Sequence, residues 1–219
     1  MKKFAIFFII ILILVIGIYF LWQKVGKIKK EEKSIEPFMN NEQILKNKKI
    51  AMIVASENFR DEEYFVPKEI LEKGGAEIKT ASNKMGVAQG ADGGSAKVDL
   101  LVQDVNPIDF DAVVFIGGPG ALKHLDNEFS YELARTAIEQ GKILGAICVS
   151  PVILAKAGVL KSKRATVWSS ALDKSTVKIL KDNGADYVDE NVVADGKIIT
   201  ANGPSSAKEF GEKILEMLK

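Results

Sequence analysis

An α/β fold with a largely parallel sheet covered on both faces is what the 219-residue chain predicts, and three observations carry it. Short apolar runs alternate with segments of helical spacing from about residue 49 to the C-terminus. The apolar runs show little polar alternation, as strands buried on both faces do. Glycine, proline and Asn-Gly or Asp-Gly pairs punctuate the boundaries. An apolar N-terminal run and a polar stretch precede this body. The expected division is an anchor over residues 1–22, a linker over 23–47 and the body over 48–219.

Residues 49–55 (KIAMIVA) read as the first buried strand. Residues 63–73 place Phe65, Val66, Ile70 and Leu71 at helical spacing and stop at Gly74-Gly75, a helix C-terminus signal. Residues 77–81 follow as a second strand, 98–102 as a further extended run, and 112–116 (AVVFI) as a strand ending in Gly117-Gly118-Pro119-Gly120. A helix is expected over 131–139, a buried strand over 143–147 (ILGAI), and a helix over 151–157 that Gly158 ends. Residues 164–167 read as strand, and 174–181 as a helix running out at Asn183-Gly184. Residues 192–194 and 197–200 flank Asp195-Gly196, a strong hairpin signal. A last amphipathic helix over 205–218 buries Phe210, Ile214 and Leu218.

Composition narrows the function. Hydrophobic residues make up 47% and charged residues 27%, ordinary for a globular chain. Residues 1–36 carry seven Lys and three Glu, whereas the remainder holds 23 basic and 26 acidic side chains. A mildly acidic body lacks the clustered Lys and Arg that nucleic-acid binding needs, so no nucleic-acid partner is expected. The single cysteine, Cys148, excludes an intramolecular disulfide, and with the single histidine, His124, it is too little for a Cys/His zinc site. No metal and no cofactor is expected. Acid–base chemistry must therefore run on Cys148, on carboxylates or on that one imidazole.

Residues 4–22 form a nineteen-residue run without a charge. As a helix it would reach about 28 Å, close to the hydrocarbon thickness of a bilayer. Tyr19 and Trp22 suit an interfacial belt, and no small-residue cleavage site follows the run. It reads as an uncleaved, single-pass anchor in a lipid bilayer. Counting basic residues before and after it favours a cytoplasmic body, while the short Met-Lys-Lys start resembles exported signal anchors and points the other way. Residues 23–46 read as a tether.

Three segments fall where strands end, which is where ligands bind in such sheets. In Gly145-Ala-Ile-Cys148-Val-Ser-Pro151, the cysteine stands in a tight strand-to-helix turn of nucleophile-elbow type. Nearby N–H groups and the helix N-terminus are expected to lower its pKa. Gly117-Gly118-Pro119-Gly120 lacks the Gly-Lys-Ser/Thr ending of a phosphate loop and reads as a turn that lets backbone approach the cysteine. There the N–H groups of Gly118 and Val149 would stabilise an oxyanion. The third segment is Glu57-Asn-Phe-Arg-Asp-Glu-Glu63, in which Asp61 and Glu62 read as complements of a helix dipole.

Together these segments, with AICVSPVILAKAGVL, KRATVW and DGKIITANGPSSAKEFG, resemble the ThiJ/PfpI family, the superfamily of the Parkinson-disease protein deglycase. The resemblance spans about residues 48–218. It implies a flavodoxin-like three-layer sandwich, a nucleophilic or oxidisable Cys148, and Glu63 as its protonated hydrogen-bonding partner. It also implies backbone donors at Gly118 and Val149, a pocket that includes Gly117 and Trp168, and a homodimer. The sequence departs from the family at three places. Val149 follows the cysteine where peptidase-like members have His, Leu122 stands where they have Glu, and Trp168 stands where another branch has His. His124 reads as an exposed helix residue.

The resemblance implies chemistry on small reactive carbonyls of glyoxalase or deglycase type, with Glu63 as the proton shuttle. The alternatives are a cysteine redox sensor reacting with an oxidant, a non-catalytic ligand-binding module and, last, a cysteine peptidase lacking its base.

Overall fold

The computed structural model describes residues 44–219. The apolar run 4–22 and most of the expected tether lie outside the described residues, and among those described no helix is long and apolar enough to cross a membrane. Residues 44–47, expected as the end of the tether, form a turn in which Leu45 is fully buried and its N–H donates to Gly74 O. The packed body thus starts ahead of residue 48.

The chain runs β1 (Lys49–Val54), β2 (Glu57–Phe59), α1 (Asp61–Lys73), β3 (Glu77–Ser82), β4 (Gly86–Gly90), β5 (Ser95–Val98), β6 (Leu100–Leu101) and β7 (Ala112–Phe115). It continues through α2 (Ala121–His124), α3 (Glu128–Glu139), β8 (Ile143–Ile147), α4 (Pro151–Lys156), β9 (Arg164–Ala165) and α5 (Ser175–Asp182). Then come β10 (Asp186–Tyr187), β11 (Val192–Asp195), β12 (Ile198–Ala201) and α6 (Ala207–Leu218). Seven strands form one sheet in the order β11-β12-β8-β7-β1-β3-β6, parallel except for the β11–β12 hairpin.

Side-chain alternation along β1 explains the three layers. Ile50, Met52 and Val54 enter an apolar cluster with Leu71 of α1 and with Phe210 and Ile214 of α6. Ala51 and Ile53 enter another, with Leu133 and Ala137 of α3, Ile153 of α4 and Leu180 of α5. Successive residues of a strand point to opposite faces, so an unbroken apolar run needs a helical layer on each side.

Several expectations change in detail. Residues 98–102 are not one strand. Val98 ends β5 in a separate three-stranded sheet, β2-β4-β5, while Leu100 and Leu101 form the edge strand β6 of the main sheet. The switch is at Asp99, whose N–H donates to Thr80 O and whose carboxylate accepts from Thr80 N–H. Of residues 164–167 only Arg164 and Ala165 form a ladder, with β10; Thr166 N–H donates to the Thr200 hydroxyl and Trp168 N–H to Cys148 O instead. Helix α3 begins at Glu128, three residues ahead of expectation, because the Asn127 side chain caps Ser130 N–H. A 3-10 turn, Pro204–Ser206, takes the place of the first residues expected of the last helix.

Helix α6 lies against α1 at Gly211, where a Cβ would come within 2.9 Å of Pro67 Cα. Gly211→Val should therefore lower the unfolding free energy by about 1–3 kcal/mol, as overpacking does, read from the midpoint of urea denaturation.

Candidate active site

The central strands β1, β7 and β8 end side by side, and the three segments singled out above leave them at that edge. Cys148 follows β8 directly and has φ +63°, a left-handed backbone that a non-glycine residue rarely adopts. Its N–H donates to Ala201 O at the end of β12, and its carbonyl accepts from Trp168 N–H, 2.9 and 2.8 Å away. Two residues on, the buried Ser150 hydroxyl donates to Ile116 O at 2.9 Å, tying the turn to the end of β7. Bonds from three elements hold the elbow in its strained form.

Glu63 lies in the first turn of α1 and is fully buried. Its Oε2 accepts from Gly117 N–H at 3.1 Å, and its Oε1 has no donor of ordinary hydrogen-bond geometry. The neighbouring thiol favours the charged form of this carboxyl. Gly117 explains how the groups meet: a Cβ there would lie 2.5 Å from Cys148 Cβ and 2.7 Å from Glu63 Oε2. Gly118 has φ +107° and presses on the segment before α1, where a Cβ would lie 2.3 Å from Arg60 N. Arg60 N–H in turn donates to Gly117 O at 3.0 Å. The glycine turn is thus the wedge between cysteine and glutamate.

Electrostatics departs from the sequence reading. Burial pushes the Glu63 carboxyl up to about 7, against the pull of the thiol, of Arg60 and of Gly117 N–H. Burial, and then the Glu63 charge, push the thiol up to about 12. The N–H groups of Gly118 and Val149 do act on the sulfur and favour its anion. They do not outweigh burial. The expected lowering of the thiol pKa by its helix N-terminus is therefore corrected, because α4 is only six residues long and the sulfur is almost dry.

The structure thus brings Cys148, Glu63, Gly117, Gly118 and Val149 together. Trp168 is half-buried, packs on the same apolar cluster as Cys148, and accepts from the Thr176 hydroxyl through its carbonyl. His124 ends the one-turn helix α2 and is half-buried, not exposed, with its Nε2 enclosed and without a protein partner. Asp61 does more than complement a dipole: its carboxylate accepts from Asp92 N–H and Gly94 N–H, at 2.8 and 2.5 Å. Sequence reasoning passed over Arg60 and Ser150. A cation three residues ahead of the glutamate was the available signal for the first; a hydroxyl between a cysteine and a helix-starting proline was the signal for the second.

Glu63 makes stability depend on pH. Its carboxyl titrates near 4.5 in the unfolded chain and at about 7 in the folded one. Between those values the folded state holds a proton that the unfolded state has lost, so the Glu63 contribution to stability falls as pH rises from about 4.5 to 7 and changes no further above. Urea denaturation at pH 5 and pH 8 should show the wild type losing up to about 3 kcal/mol more than Glu63→Gln across that interval.

Comparison with known proteins gives a consistent picture. Residues 48–217 match the DJ-1/PfpI family. The deglycase PfpI of Pyrococcus furiosus is 34% identical over 171 residues, covering 78% of this chain and 99% of that one. The glutathione-independent glyoxalase DJR-1.2 of Caenorhabditis elegans is 31% identical over 172 residues, covering 78% and 89%. The crystal structure of a ThiJ/PfpI domain protein from Brachyspira murdochii is 36% identical, with a TM-score of 0.74 over 79% of this chain and 97% of that one.

Proposed function

The chain belongs to the DJ-1/PfpI family, and from that premise we propose that it acts on small 2-oxoaldehydes, a glyoxalase or deglycase type of activity, with Cys148 as nucleophile and Glu63 as proton shuttle. The observation that carries this reading is the buried Glu63 carboxyl beside the thiol, with a pKa of about 7. An acid–base group is most effective when its pKa lies near the working pH.

In the proposed reaction the sulfur adds to the aldehyde carbon. The thiol proton passes to the Glu63 carboxylate and from there to the carbonyl oxygen, which leaves a hemithioacetal. Glu63 next removes the hydrogen on that carbon as a proton while the electron pair shifts toward the neighbouring ketone. The same carboxyl returns the proton to the second carbon, and the hydroxyl proton on the first carbon's oxygen passes to the oxygen of the second. The product is the thioester of a 2-hydroxy acid, which water cleaves to free the acid and restore the thiol. The net change is addition of one water. The N–H groups of Gly118 and Val149 support negative charge on sulfur or on the adjacent oxygen.

Because the thiol stands well above its ordinary range, attack depends on the ionised carboxylate taking its proton. Activity with methylglyoxal should rise as pH passes through about 7, the midpoint of Glu63. Cys148→Ala should abolish consumption, and Glu63→Gln should lower kcat by about 10²–10⁴-fold. A Cys148→Ala protein as active as the wild type would remove the reading. A redox sensor has less support, since an almost dry thiol held above its usual range offers little thiolate to peroxide. Peptide hydrolysis lacks an imidazole to protonate a leaving amine, because Val149 follows the cysteine.

The charge-free run over residues 4–22 supports a further part of the proposal, that the body is tethered to a lipid bilayer, with the lysine count favouring its cytoplasmic side. Confinement to a membrane plane would also populate a weak homodimer. The full chain should stay with the membrane pellet after a carbonate wash, and a chain starting at residue 23 should not.

A further inference from the structure

Arg60 stands immediately before α1 and neither takes nor gives a proton in the chemistry above. Its backbone belongs to the wall of the site, since its N–H donates to Gly117 O and Gly118 packs against it more closely than a Cβ would permit. Its side chain turns toward the loop after β4, where Nη1 donates to both carboxylate oxygens of Asp92 at 3.0 Å. That loop is itself fixed, with Asp61 accepting from Asp92 N–H and Gly94 N–H. Among the described residues, Arg60 Nε and Nη2 donate to no partner.

The Asp92 pairing is the kind that a ligand can displace. The Arg60 and Asp92 side chains are 32% and 55% exposed, so water screens the pair and its net contribution is small. The guanidinium keeps a planar edge of donors, the shape that matches a carboxylate or phosphate in two-point fashion. Its backbone bonds the same Gly117 that packs between Cys148 and Glu63, and its charge favours the ionised Glu63. A permanent cation thus lies within electrostatic reach of the thiol, in a body whose overall balance is acidic.

We infer that Arg60 forms an anion subsite beside Cys148, so that the carbonyl substrates favoured by this chain are 2-oxoaldehydes that also carry a carboxylate or phosphate group. The substrate class rests on the carbonyl reading above; the subsite itself does not. In the free protein Asp92 holds the guanidinium in place, and an incoming anion shares or replaces that contact.

The single cysteine allows a test independent of turnover. Iodoacetate and iodoacetamide alkylate the same sulfur and differ in charge, so the ratio of their rates at one pH cancels the thiolate fraction and reports the local preference for an anion. Using the full chain, the iodoacetate-to-iodoacetamide ratio at Cys148 should fall about fivefold in Arg60→Gln. It should rise in Asp92→Asn, which leaves the arginine in place, and fall in the wild type when salt is raised from about 0.05 to about 0.5 M. A ratio unmoved in both variants would overturn the subsite. For the substrate class, kcat/KM for 4,5-dioxopentanoate, an anionic 2-oxoaldehyde, is compared with that for methylglyoxal. The ratio of the two should drop at least tenfold in Arg60→Gln, and an unchanged ratio would count the class as wrong. If methylglyoxal consumption survives Cys148→Ala, the carbonyl reading fails while the alkylation ratios still decide the subsite.

Discussion

The whole arrangement turns on a carboxyl and a thiol sharing a site from which water is excluded. Either group could be buried neutral at modest cost, but two negative charges could not be accommodated there. Burial therefore raises both, to about 7 for Glu63 and about 12 for Cys148, so that at neutral pH the pair moves between two protons and one. The contact exists because Gly117 has no side chain. Any Cβ at that position would occupy the space in which the sulfur-bearing carbon and the carboxylate oxygen come together. The parallel order of β1, β7 and β8 follows from the same need, since it delivers Glu63, the glycine turn and Cys148 from three separate strand ends to one edge.

The cysteine's conformation is an equally firm requirement. A positive φ at a non-glycine residue costs of order 1–3 kcal/mol and persists only where neighbours over-determine it. Here the neighbours are β12, through Ala201 O, and the segment after β9, through Trp168 N–H. This gives Trp168 a role that does not depend on its side chain. Its backbone closes the elbow from the far side, and the ring takes no part in that bond.

Much of this was legible because the signals were local. The all-apolar runs became central strands, Asp195-Gly196 became the β11–β12 hairpin, and Pro151 began α4 directly after the elbow. What stayed hidden depended on partners distant in sequence. Strands β4 and β5 are short and glycine-flanked, and they pair with each other and with β2, so no single window of sequence announces them. Asp99 separates two sheets by bonding to Thr80 across the fold, and Asp61 looks like a dipole complement until the loop it holds is in place. The thiol pKa failed for a related reason. A helix N-terminus is visible in sequence, whereas the exclusion of water that opposes it appears only once the layers have packed.

A site without a histidine places unusual demands on its remaining charges. An imidazole can accept and release a proton while going from neutral to cationic; a carboxyl must do so while going from neutral to anionic, beside a sulfur that also becomes anionic. Like-charge repulsion would then oppose each step unless a fixed positive charge lay close by. Arg60 meets that condition, because a guanidinium stays protonated throughout the working range and its field lowers the cost of ionising Glu63. The arginine also has to remain partly exposed, since full burial between Asp92 and the site wall would spend its charge on one protein carboxylate. Its loose pairing at the surface is consistent with a cation that stabilises a negative site and still has donors left for an anionic ligand.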